Sequence, residues 1–488
     1  SSSSSSSTTL PHQIHRGFSA TPAPNPPPPL LPSSSSSSPS FQPILADPTG
    51  NFSLGFLLVT SDQDLLALAV LHLPSGLPLW RAKHAAARWS RSTSLSFNGT
   101  LLLSDATNGV IWSSGADGDR VVLLPSSNLQ IQKLPGSVLW QSFDSPSDTL
   151  VQGQNFTAST ALSSLDRRFS MRLGAYFLAL YMGHPAVMYW KKTALEERAE
   201  IVDGASPIYA RVDPLGFLGL YQNETARVYV LPFDSFNRGV PGFRRLTLDP
   251  DGNLRAYYWD WASSNWLLDF AAIHHPCELP AYCGDYALCT MANDECGCLL
   301  GDGGCQLPAD AGDLCGGDTF WELRRTGVEL SYMELLESDK ASSREECELG
   351  CRRNCSCGGA LYNGATGYCY RIGFPVATLV ATRDDHRVGY FKVRVLAADS
   401  GGRGKSAAFR VGVPVLLAGL LLAAAAAAVA TFVAYRVCDR GRQRRGSGGE
   451  DLISPGTYKE FKDSPSFRAI ELSISNPSSA TPSTSSSR

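Results

Sequence analysis

The stretch SVLWQSFDSPSDTLVQGQ, residues 137–154, opens with a short strand-like run, breaks on Asp, Ser and Pro, and resumes in a second short apolar run. The break is turn chemistry, so the stretch reads as strand, turn, strand. The same style continues on both sides of it. Residues 41 to about 160 contain NFSLGFLLV, LLALAVLHL, SLSFNGTLLLSD, GVIWSS, VVLLP and NLQIQ, and residues 168 to 270 contain RFSMRL, YFLALYM, AVMYW, ARVYVLPF and RRLTLDPDGNLRAYYWD. Short strands at this spacing predict an all-β sandwich, prism or barrel. In DPDGNLRAYYW an Asp-Gly pair between alternating runs marks a hairpin. Trp112, Trp140, Trp190, Trp259 and Trp266 recur in these runs and read as fillers of a β core.

The chain has 488 residues, 43% hydrophobic and 18% charged, enough for several domains with cores of their own. A formal net charge of -3 gives no overall field that would select nucleic acid. Residues 1–40 are rich in Ser, Thr and Pro, which predicts a disordered leader, and no signal peptide is visible ahead of them. Val411 to Tyr435 is a 25-residue run without a charge, whose interior hydroxyl is Thr431. About 20 apolar residues suffice to cross a bilayer, so this is the expected transmembrane helix. Arg436, Arg440, Arg442, Arg444 and Arg445 follow it, which places the C-terminus in the cytosol and makes the protein a single-pass, type I plasma-membrane protein with an extracellular N-terminus. The glycan acceptor pattern agrees with that orientation. Asn51, Asn98, Asn155, Asn223 and Asn354 all precede the span, and the similar triplet after it, Asn476-Pro477-Ser478, is blocked by proline.

No cysteine occurs in the first 276 residues, and twelve of the thirteen fall between 277 and 369. Cys277, Cys283, Cys289, Cys296, Cys298 and Cys305 form one group; Cys315, Cys347, Cys351, Cys355, Cys357 and Cys369 form another. Dense cysteine in an exported segment reads as disulfide scaffolding of small lobes, with the pairing left open. Cys347, Cys351 and Cys355 have helical spacing, which suits a helix stapled to a sheet. The spacings lack the paired knuckles of zinc sites, and no metal or other cofactor is expected. Cys438, just below the span, is a palmitoylation candidate, and Tyr458 with Phe461 fits a sorting pattern in the tail.

The residues 137–154 closely resemble the LWQSF-D-x-P-T-D-T-L-x-x-G-Q segment of bulb-type lectin domains in plant S-locus glycoproteins and S-domain receptor kinases, and NFSLGF at 51–56 resembles their opening strand. PCELPAYCGDYALC resembles an EGF-like module, and ECELGCRRNCSC followed by GYC and GYFKVRV resembles a PAN/apple module. The resemblance covers residues 41 to 395 and implies a mainly β chain of tandem bulb-lectin β-prism-like domains with disulfide-rich modules. It divides the sequence into a leader (1–40), a bulb-type lectin domain (41–160), a second lectin-like domain (161–275), an EGF-like module (276–310), a PAN/apple domain (311–395), a stalk (396–410), the span (411–435) and a disordered tail (436–488).

In that family a kinase follows the span, whereas the 53 residues here contain no Gly-rich loop or catalytic aspartate motif. No Gly-x-Ser-x-Gly elbow, His-Glu-x-x-His or P-loop occurs either, so no enzyme is expected. Bulb lectins of the family bind mannose through Gln-x-Asp-x-Asn-x-Val-x-Tyr. The nearest stretch, LSDATNGVIW, keeps Asn108, Val110 and Trp112 in register, but Asp105 is one residue too far away and Leu102 or Leu103 stands in place of glutamine. One added residue turns a side chain to the other face, so this is a degenerate sugar site. The expected function is a receptor-like protein that binds an extracellular peptide, protein or glycan and acts with a kinase-bearing partner; the alternative is a carbohydrate-binding wall adhesion protein or a decoy co-receptor.

Overall fold

The computed structural model describes residues 10–29, 39–60, 64–82, 87–183, 186–193, 208–223, 227–299 and 320–394. Two four-stranded and one five-stranded antiparallel sheet make the first lobe. One runs Gln13–His15, Arg120–Leu123, Leu129–Lys133, Ser137–Gln141; the next Gly109–Ser113, Leu101–Asp105, Thr93–Phe97, Phe18–Ala20; the third Phe41–Ala46, Phe52–Thr60, Leu65–His72, Leu77–Arg81, with Ala87–Arg88 added beside Leu65–His72. Alternation decides which face turns inward: Leu95 and Phe97, Leu101 and Leu103, and Leu129 and Ile131 are all fully buried in one core. Each sheet also contributes one tryptophan to a closed ring of three. Trp80, Trp112 and Trp140 meet edge-to-face at centroid distances of 5.9, 5.9 and 5.7 Å, and Trp80 donates its indole N–H to the Ser145 carbonyl at 2.9 Å. Edge-to-face contact is the favoured aromatic geometry, so the ring fixes the mutual tilt of the sheets.

The structure corrects the expected leader. Gln13–His15 pairs with Arg120–Leu123, setting Ile14 opposite Val121 in the core, and Phe18–Ala20 pairs with Thr93–Phe97. Composition averaged over Ser and Pro hides a three-residue strand whose stability comes from the edges it completes. The first lobe therefore begins near residue 13, not 41.

The second lobe repeats the three-sheet plan. Its sheets are Thr149–Val151, Arg244–Leu248, Leu254–Asp260, Asn265–Ala271; then Asn155–Thr157, Tyr209–Asp213, Phe217–Tyr221, Arg227–Pro232; then Ala161–Ser163, Phe169–Leu173, Phe177–Met182, Val187–Thr193. The Asp251-Gly252 turn joins Arg244–Leu248 to Leu254–Asp260, with Gly252 at φ 86°, a backbone state that favours glycine. The two lobes meet over His72. Its ring contacts Trp259 at 4.8 Å and Trp266 at 5.2 Å between centroids, and Ser75 Oγ joins His72 Nδ1 at 2.8 Å to the Trp266 indole N–H at 3.0 Å.

Behind the second lobe the cysteine-rich segments share a sheet. The hairpin Ala287–Thr290 and Glu295–Cys298 adds Leu379–Ala381 in parallel, setting Leu288 opposite Leu379, and Val328–Glu329 closes the edge. A boundary near residue 310 thus separates the cysteine groups but not the backbone hydrogen bonding. The other C-terminal sheet, Phe320–Thr326, Arg387–Arg394, Cys357–Asn363, Tyr368–Gly373 and Ser338–Lys340, carries the helix Arg344–Arg352. Ser343 caps that helix by accepting the Glu346 amide at 3.3 Å. At the other end the buried Lys392 ammonium donates to the carbonyls of Arg352 and Asn354 at 3.2 and 2.9 Å.

Among the described residues no helix is long and apolar enough to cross a membrane. The expected span 411–435, with Cys438, Tyr458 and Phe461, lies outside the described residues.

Candidate functional site

Asp105 ends the strand Leu101–Asp105, and its carboxylate is buried and fully engaged. Oδ1 accepts the amides of Thr107 and Asn108 at 2.8 and 3.3 Å; Oδ2 accepts the hydroxyls of Ser92 and Thr93 at 3.1 and 3.2 Å. The Thr107 amide, with Ser92, Thr93 and Asn108 behind it, holds this carboxyl below the usual carboxylate range. The residue added between Asp105 and Asn108 therefore lies in the turn, and the aspartate fixes that turn from inside. Asn108 is exposed, Val110 is 61% exposed, and Trp112 is turned into the tryptophan ring by a register shift between Val110 and Trp112. Leu103 is in the core. The four residues share a hairpin but not a ligand-facing surface.

The adjoining sheet carries a polar array that its sequence, NLQIQ, signalled only as a strand. Leu129 and Ile131 point into the core, so Asn128, Gln130 and Gln132 project from the opposite face. Arg120 Nε donates to Gln132 Oε1 at 3.0 Å, Gln132 Nε2 to Gln130 Oε1 at 2.8 Å, Gln130 Nε2 to Gln141 Oε1 at 3.3 Å, and Gln141 Nε2 to Asp144 Oδ1 at 2.9 Å. Asn128 Nδ2 joins at Gln141 Oε1, 2.9 Å. The chain of amides thus runs from a cation to an anion, which gives every amide one orientation and polarises the bonds cooperatively. Gln141 Oε1 accepts twice, and Asn128 Oδ1 accepts the Ser142 hydroxyl and the Phe143 amide at 3.3 and 3.4 Å. The capacity left over therefore lies on the largely buried amides of Gln130 and Gln132, each with a second N–H and a second lone pair. Polar residues two apart in Asn128-x-Gln130-x-Gln132 are the sequence signal that could have revealed it.

Asn98, Asn155, Asn223 and Asn354 are exposed and Asn51 is half-buried. Asn155 Oδ1 accepts Arg211 Nε at 2.7 Å, and Asn354 Oδ1 accepts Ser356 Oγ at 2.8 Å. Cys277 is bonded to Cys289 and Cys283 to Cys296, while Cys347 and Cys351, one turn apart on the helix, are bonded to Cys369 and Cys357. Cys298 and Cys355 are also disulfide-bonded. Cys305 and Cys315 lie outside the described residues. Cys283, Cys289 and Cys296, like His275, Cys277 and Asp294, converge closely enough to suggest a metal cluster, but disulfide bonding leaves those sulfurs without a thiolate to donate.

Comparison with known proteins places this architecture. The family model for D-mannose binding lectin matches residues 80–172, and that for the S-locus glycoprotein domain matches residues 220–303. A PAN domain-containing protein of Arabidopsis thaliana is 41% identical over 444 residues, 89% of this chain and 89% of the relative. The chain belongs to the plant S-domain family of PAN domain-containing, receptor-like proteins. A G-type lectin S-receptor-like serine/threonine-protein kinase of the same plant is 28% identical over 350 residues, covering 62% of this chain and 36% of the kinase. Among solved structures, Scilla campanulata agglutinin, a two-domain lectin, is 19% identical over 54% of this chain and 94% of its own, with a TM-score of 0.20. In this S-domain protein the lectin match starts inside the strand Leu77–Arg81 and ends inside Phe169–Leu173, so it straddles both lobes. The S-domain protein keeps lectin-type sheets, while its Asp105 hairpin is devoted to the fold.

Proposed function

We propose that this S-domain protein is a receptor-like binding protein of the plasma membrane, without catalysis of its own, that recognises an extracellular saccharide and acts with a kinase-bearing partner. The amide array from Arg120 to Asp144 carries this reading, because a row of oriented donors and acceptors on the sheet face turned away from the core, with Gln130 and Gln132 8% and 9% exposed at its middle, has the chemistry that reads a neutral polyol. The apolar run Val411 to Tyr435, its arginine-rich flank and the sequons before it support a membrane anchor with the lobes outside the cell. The EGF-like and PAN/apple segments, packed into one core with the second lobe, are read as part of that ectodomain.

Titration of the full-length glycosylated protein with a panel of neutral oligosaccharides tests the proposal. Saturable binding should weaken by about tenfold or more in Gln130→Ala and Gln132→Ala, since each breaks the oriented row and removes hydrogen bonding worth about 1 to 2 kcal/mol. Binding that survives both substitutions would remove the array from the site.

A further inference from the structure

Between the two lobes, sharing no lining residue with the amide array, lies a cleft of about 310 Å³ lined by Arg81, Arg167, Arg168, Arg172, Asp148 and a set of serines. Four arginines and one acidic residue thus contribute to its lining. Arg81 ends the strand Leu77–Arg81 of the first lobe; the other three sit on the hairpin Ala161–Ser163 to Phe169–Leu173 of the second.

The pairing of these cations is incomplete. Arg81 is mostly buried, and its one side-chain partner among the described residues is Asp148, at 3.4 Å. That carboxylate also accepts the Ser147 and Thr149 hydroxyls at 3.0 and 3.2 Å. Burial pushes Arg81 below the ordinary guanidinium value in spite of Asp148, so this cation is desolvated beyond what its partner offsets. Arg168 touches Asp285 at 3.4 Å and lies over the Phe169 ring. Arg172 lies over the Tyr181 ring, and no carboxylate pairs with Arg167 or Arg172 among the described residues. The nearby Asp166 is turned to Ser164 Oγ and the Arg168 amide. Arg167 moreover occupies a left-handed backbone position, φ 60°, where Gly or Asn would be at ease. The serines add neutral hydrogen-bonding groups: Ser163 and Ser170 line the cleft and have no side-chain partner among the described residues.

We propose that this cleft binds a carboxylate-bearing saccharide, a uronate unit of an acidic oligosaccharide, between Arg81 of the first lobe and Arg167, Arg168 and Arg172 of the second. A guanidinium fork matches a carboxylate through two parallel N–H···O bonds, and the serine hydroxyls with Asp148 suit the ring hydroxyls. The volume lies at the lower end of the range for small-molecule pockets and is large for a simple inorganic anion. Bound there, the ligand would bridge the two lobes. The inference does not depend on the amide array, and the two are separated by which substitutions abolish which binding.

The test is calorimetric titration of the full-length protein with trigalacturonate, its fully methyl-esterified form, and inorganic phosphate. Trigalacturonate should bind, should weaken as salt rises, and should lose about tenfold or more in affinity in the Arg167→Asn, Arg172→Gln double variant. Both positions are exposed and Asn tolerates the left-handed backbone, so the double variant should keep the wild-type melting temperature. Arg81→Gln should weaken binding from the opposite wall. Absence of trigalacturonate binding, equal binding of the methyl ester, undiminished binding by the double variant, or equal competition by phosphate would each overturn the proposal.

Discussion

Arg244 Nη1 donates to Asp269 Oδ2 at 2.5 Å inside the second lobe, with side-chain exposures of 1% and 2%. The same carboxylate accepts the Ser235 amide at 2.8 Å and its hydroxyl at 2.7 Å, while Arg244 Nε donates to the Pro214 carbonyl at 3.0 Å. The pair therefore ties two connecting segments to the sheet. Asp269→Ala would leave a buried guanidinium without its counter-charge, and such breaks cost about 3 to 5 kcal/mol. Urea unfolding should show that loss. Asp117→Ala, which removes the exposed partner of Arg16 in the first lobe, should change stability by about 1 kcal/mol or less.

His72 makes the junction of the lobes sensitive to acid. Burial, with the charge of Arg245 added, pushes its pKa down from 6.5 to about 4. The folded chain thus disfavours a proton that the unfolded chain accepts. The neutral imidazole's contribution is complete above about pH 6.5, and it is lost as pH falls toward about 4, to a total of about 3 kcal/mol. Unfolding midpoints compared at about pH 7 and about pH 5 should fall with acid in the wild type. In His72→Gln that part of the slope should vanish; an unchanged slope would show that His72 does not carry it.

Asp105 and Asn108 should separate in their effects. Asp105→Ala removes the acceptor of four hydrogen bonds and should lower the melting temperature. Asn108→Ala alters an exposed turn residue and should change neither stability nor saccharide affinity. Mannose binding that disappears in Asn108→Ala would return the hairpin to the ligand site. The full chain is the material for this test, because Gln13–His15 and Phe18–Ala20 complete the first lobe.

Cys347–Cys369 and Cys351–Cys357 hold one short helix to two neighbouring strands. The Cys347→Ser, Cys369→Ser double variant should lose about 2 to 5 kcal/mol and be retained in the secretory pathway. Non-reducing peptide mapping should recover both bridges from the wild type, and a variant secreted at the wild-type level would show the helix is held by packing alone.

The sequence by itself determined the β architecture, the two groups of cysteines and the family, because strand alternation, turn residues and the LWQSF segment are local signals. It also showed that Asp105 was out of step with Asn108, since strand facing follows from counting residues. Tertiary structure alone decided what Asp105 does, because its four donors come from two separate segments. It alone recruited Ile14 and Phe18 from a Ser/Pro-rich stretch, since a three-residue strand exists only where an open sheet edge accepts it. The polar alternation in NLQIQ was legible, but its orientation from Arg120 to Asp144 was not, because the direction of an amide chain depends on which charges the fold brings to its two ends. The arginines of the inter-lobe cleft were the least legible: Arg81 lies far in sequence from Arg167 and Arg172, and only the docking of the two lobes sets them around one volume.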